Sequence, residues 1–178
     1  MNRLRLIAMA CLLIPAAAEG ATPTSPPVPG FGQVAAIACA ANLPDNHLRY
    51  RVLFTISKAA EQPGAINPSL DKAARFLNLL GSRGIKPPKG DVVVIVHGAA
   101  TPLVLGDTAY RDRFGMDNPN LRLIRALTRA GARVHVCGQA LHGLKIAPGA
   151  VADEVLVDLS ALTTIATLQL NGWVLMPE

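Results

Sequence analysis

The chain has 178 residues, of which 51% are apolar and 16% charged, and its formal net charge is +5. That composition supplies one well-filled core and is unlike a disordered, collagen-like or coiled-coil chain. Its basic residues are scattered among acids rather than gathered into a stripe, so the charge pattern does not point to nucleic acid.

Arg3 and Arg5 open the chain, residues 6–14 are apolar, and Ala16, Ala17 and Ala18 follow. This is the layout of a secretory signal peptide over 1–18, with cleavage expected after Ala18 and a periplasmic or secreted product. The apolar run is far short of the ~20 residues that span a bilayer. No other segment is long and apolar enough, so no membrane span is expected. Loss of Arg3 and Arg5 lowers the formal charge by two, from +5 to +3. An oxidising compartment allows Cys39 and Cys137 to pair or to remain free, and the sequence leaves both open.

Residues 19–46 are expected to form an extended leader. Pro, Gly and Thr through residue 33 predict a mobile segment, and the short apolar run 34–43 predicts packing on the domain edge or on a neighbouring subunit. The folded domain is expected over 47–178. Arg49, Arg51, Leu53 and Thr55 alternate with Tyr50, Val52, Phe54 and Ile56, which predicts a strand. Residues 57–67 are loop. Pro68 then suits a first helical turn, with Leu70, Ala73, Ala74, Leu77 and Leu80 on one face and Gly81 and Gly84 as stops.

Residues 92–96 are a continuous β-branched run, the mark of a strand buried on both sides. After His97 and Gly98, residues 101–114 predict a polar loop or broken helix. Asn118 is expected to cap a helix with Pro119 at its first position. In that helix Leu121, Leu123, Ile124 and Leu127 face inward, and Arg122, Arg125 and Arg129 face water. Residues 133–137 predict a strand, 138–142 a helical turn, 148–154 a short helix, and 155–157 a brief strand. Ser160 caps a helix to Leu170, and residues 173–176 form the last strand. The alternation predicts an α/β domain with a mostly parallel sheet of about five strands covered on both faces. Residues 159–177 carry no charged side chain. A helix without charge on its outer face is either central or covered by another subunit, and the subunit is expected because small domains rarely bury a helix all round.

Parallel sheets place ligands at the carboxyl ends of their strands. His97 and Cys137 close two strands, and each precedes a glycine that lets the chain turn and leaves the side chain approachable. A helix beginning after Cys137, with an imidazolium from His97 nearby, would favour a nucleophilic sulfur. The plainer alternative is a buried packing cysteine and a histidine bonded to a loop carbonyl. His135, inside a strand, reads as structural, and His142 as a surface residue. Cys137, His97 and His142 make a three-ligand metal site only if their loops converge. Tyr110, Arg111 and Arg113 either hold an anion at the mouth or are ordinary solvated groups.

Four segments, ISKAAEQPGAINPSLDKAARFLNLL, VVVIVHGAATPLVL, NPNLRLIRALTRAGARVHVCGQAL and LSALTTIATLQLNGWVLMP, resemble the DsrE/DsrF-like family, in particular its exported single-domain members. The resemblance implies a three-layer α/β/α fold and a homo- or hetero-oligomer, often a trimer or hexamer. It also implies that Cys137 matches the strand-end cysteine which, in sulfur-trafficking relatives, carries a persulfide and passes the sulfur to a protein partner. No metal or organic cofactor is implied. Two functions are therefore weighed: a sulfur-carrier or sulfurtransferase-like protein using Cys137 and His97, and a non-catalytic oligomeric ligand- or partner-binding module of the cell envelope.

Overall fold

A computed structural model describes residues 25–178; the predicted signal peptide lies outside them. Five strands, β1 (Val52–Ile56), β2 (Val92–Val96), β3 (Arg133–Cys137), β4 (Val155–Asp158) and β5 (Val174–Met176), form one sheet in the order β4-β3-β2-β1-β5. Every pairing is parallel. The helices are α1 (Pro68–Gly81), α2 (Asp107–Phe114), α3 (Leu121–Arg129), α4 (Gly138–Gly143) and α5 (Ala161–Leu170), with a 3-10 helix at Gly98–Val104 and a short one at Pro148–Ala150. No helix among the described residues is long and apolar enough to cross a membrane.

The expected inward faces of α1 and α3 are the buried ones. They pack on one face of the sheet against Val52, Phe54, Val92, Val94, Val134 and Val136. Period-two alternation sends Leu53, Val93, Ile95 and Cys137 to the other face, where α5 packs on them through Ala161, Ile165 and Leu168 and α4 adds Ala140. The two faces differ in how well they are closed. All four buried side-chain polar atoms without a partner among the described residues, Arg51 Nε, His135 Nε2, Asp158 Oδ2 and Trp173 Nε1, belong to residues on the α5 face or at its edge.

Three local expectations differ from the structure. Asn118 does not cap α3, which starts at Leu121 after Asn120. Its amide is engaged elsewhere, donating to the carbonyls of Leu103 (2.8 Å) and Leu105 (2.7 Å) to close the turn after the 3-10 helix. The helix expected over 148–154 shrinks to the 3-10 turn, and an isolated bridge joins Val151 to Leu105. Residues 26–32 are docked rather than mobile. Val28 is fully buried, and the Asn78 side chain accepts from its amide and donates to the carbonyls of Val28, Phe31 and Gly32. Gly81 permits the fit, because a Cβ there would stand 2.4 Å from the Pro27 ring.

At the amino ends of the strands, Asp91 is buried and takes two bonds from Arg49, at 2.6 and 2.9 Å. The Arg49 guanidinium holds the Asp91 carboxyl below the usual carboxylate range, against the opposing effect of burial. The folded chain therefore binds this proton more weakly than the unfolded chain does. The resulting stability is complete above the unfolded value and is lost as the pH falls through the carboxylate range towards the depressed folded value. We expect the urea midpoint of the wild type to drop between about pH 5 and pH 3. Asp91→Asn should flatten that slope; an unaltered slope would remove Asp91 from the acid response.

Candidate functional site at the carboxyl ends of the strands

Val96 pairs with Val136, so His97 and Cys137 are the next residues on two neighbouring strands, and by alternation both point to the α5 face. His97 is half-buried and precedes the 3-10 helix, where its amide donates to the Ile56 carbonyl at 2.9 Å. Cys137 is 6% exposed and packs with Leu53, Val93, Ile95 and Ala161.

The helix that touches the sulfur is not the one expected. Cys137 stands at the amino end of α4 but makes no side-chain bond to it. Its Sγ instead accepts from the Ala161 amide at 3.2 Å, the first residue of α5. The sulfur therefore sits at the amino end of a ten-residue helix, on that helix's first amide. Cys137 pairs in register with Asp158, whose carboxylate lies 2.9 Å from His135 Nδ1. His135, read from the sequence as structural, is thus half of a partly buried His–Asp pair two residues from the cysteine. No sequence signal marked Asp158 as its partner, because that contact depends on the β3–β4 register.

Other expected participants are placed elsewhere. His142 is exposed on α4. Among the described residues no group of three or more His, Cys, Asp or Glu side chains is placed to hold a metal ion, so the alternative set of Cys137, His97 and His142 is not assembled. Tyr110 is buried, its hydroxyl donates to the Pro63 carbonyl at 2.7 Å, and burial pushes its phenol up. Arg111 pairs with Asp117, and Arg113 lies over the Phe114 ring. These three do not form an anion site. Cys39 is exposed and Cys137 buried, and both are free thiols. A groove of about 640 Å³ lies between the 30–44 segment and the last turns of α1, walled by Phe31, Val34, Ile37, Leu43 and Leu79, and it includes neither His97 nor Cys137.

The family model described as the DsrE/DsrF-like family matches residues 50–177. The chain belongs to the DsrE/DsrF-like family. This DsrE/DsrF-like chain also shares its fold with the protein of unknown function MTH1491 from Methanobacterium thermoautotrophicum. The TM-score is 0.52 and the identity 20%, over 71% of this chain and 97% of that one. No curated protein matches the chain. The α/β architecture of this chain is an all-parallel five-stranded sheet flanked by helices, and the likeness to that structure is one of fold.

Proposed function

We propose that the protein is an exported sulfur carrier that holds a persulfide on Cys137. The observation that carries this reading is the strand-end sulfur of a DsrE/DsrF-like chain with the first amide of α5 directed at it. In the loading step the Cys137 thiolate attacks the outer sulfur of an anionic sulfane donor such as thiosulfate. A sulfur–sulfur bond forms, and sulfite leaves with the electron pair. In the unloading step a partner protein's thiolate attacks the outer sulfur, and Cys137 departs as a thiolate onto the Ala161 amide. His97, the adjacent strand-end residue, is the second site residue. Because the sulfur is buried, both steps require the β4–α5 junction to open. A second copy docked on the α5 face, in a trimer or hexamer, belongs to the same reading, as does export directed by residues 1–18.

The purified protein is to be incubated with thiosulfate or polysulfide and weighed intact. One added sulfur is expected on the wild type and none on Cys137→Ser; an adduct retained by Cys137→Ser, or absent from both, removes the carrier function. The burial of Cys137 favours a second reading, a non-catalytic oligomeric binding module. A thiol at Cys137 that stays unlabelled in the native assembly for hours would select it.

A further inference from the structure

The turn that follows β1 holds a carboxylate. The successive amides of Ser57 and Lys58 donate to Glu178 Oε1 at 3.0 and 3.1 Å, and Ser57 Oγ donates to Oε2 at 2.6 Å. Two adjacent N–H groups and a hydroxyl converging on one anion form a backbone nest, the arrangement that binds small oxoanions. Burial opposes ionisation of the Glu178 carboxyl, yet the donors of Ser57 and Lys58 together hold it below its usual range. Lys58 adds positive charge beside it. Lys72 Nζ donates to the neighbouring Pro177 carbonyl at 2.7 Å.

The nest is fixed from behind. The Ser57 carbonyl accepts from the Ala100 amide at 3.0 Å, and the Lys58 carbonyl accepts from Asn67 Nδ2 at 2.9 Å. Asn67 is fully buried, and its own amide donates to Asn120 Oδ1 at 2.8 Å. Asn120, also buried, donates to Asn118 Oδ1 from its backbone amide at 2.9 Å and from Nδ2 at 3.3 Å. A buried asparagine ladder thus reaches from the Ser57–Lys58 turn to the start of α3. Such a network keeps donors aimed without reorganisation when a ligand arrives. The turn lies on the same sheet edge as the candidate site, with β2 and His97 between it and Cys137. Two strand spacings put the ends of β1 and β3 roughly 10 Å apart.

We propose that the Ser57–Lys58 turn is a binding site for a small sulfur oxoanion of the thiosulfate class, and that the Glu178 side chain is its resident competitor. The substrate class rests on the sulfur-carrier reading; the anion site itself does not. The protein occupies the site with its own carboxylate, so an oxoanion must displace Glu178 to bind.

The test uses full-length Cys137→Ser protein, so that no covalent adduct contributes. Glu178→Ala is added to it, and thiosulfate and sulfate are titrated by calorimetry at constant ionic strength against chloride. The Glu178→Ala form is expected to bind thiosulfate at least tenfold more tightly than its parent, and Ser57→Ala in that background should lose most of the gain. Sulfate binding as tightly as thiosulfate supports the oxoanion site and overturns the sulfur-donor assignment. No binding beyond chloride, or binding untouched by Ser57→Ala, overturns the site. These outcomes are independent of the mass test at Cys137, so either idea fails without the other.

Discussion

Replacing Gly138 by alanine is expected to lower the unfolding free energy by about 2–3 kcal/mol and to loosen the seat of the Cys137 sulfur. A Cβ at Gly138 would stand 2.6 Å from the Asp158 carbonyl oxygen and 3.4 Å from that of Leu159. Both are backbone atoms, so no side-chain rotation relieves the clash and the β4–α5 junction must move. That junction carries the Ala161 amide that bonds the sulfur and the Asp158 carboxylate that pairs with His135. Gly143 ends the same helix with nothing within 4 Å of its ideal Cβ. Gly143→Ala is therefore expected to be neutral or to stabilise by up to about 1 kcal/mol. Urea unfolding reads the stability difference, and native-state thiol labelling reads the sulfur. Gly138→Ala should label faster than wild type and Gly143→Ala at the wild-type rate. Equal labelling in all three would show that the junction does not guard Cys137.

The parts of this molecule that were legible in sequence are those governed by local periodicity. The β-branched run of β2, the apolar faces of α1 and α3, and the uncharged last helix each identify themselves within a few residues. What escaped were contacts made across long chain separations. Asn67, Asn118 and Asn120 look like loop residues and caps, yet they form a buried ladder because three loops meet at one sheet edge. Val28 and its neighbours look like a proline-rich tether, yet they fit α1 because Asn78 and Gly81 accept them. The same limit applies to the candidate site. Glycine after the strand-end residue singled out Cys137. The donor to its sulfur came from α5, more than twenty residues further on, rather than from the helix that directly follows.

Leu162→Glu is expected to prevent the proposed association of copies while leaving the single chain folded. Leu162 is 81% exposed in the isolated chain, so the substitution touches little of the core. Leu156, Leu159, Leu170 and Leu175 are also exposed, and residues 159–177 offer no charge to solvate them. Each leucine covered by a second copy contributes about 1.5–3 kcal/mol. A glutamate in an interface made by α5 replaces the gain with a desolvation cost, and a net loss of about 3 kcal/mol weakens association roughly a hundredfold. Light scattering at micromolar concentration should show an oligomer for the wild type and a monomer for Leu162→Glu, with unaltered helical content. A monomeric wild type would show that this face is not an interface between copies. Leu162 directly follows Ala161, whose amide holds the Cys137 sulfur. A copy packed on Leu162 would therefore clamp the junction beside Cys137, and the dissociated variant should expose Cys137 to labelling faster than the associated protein does.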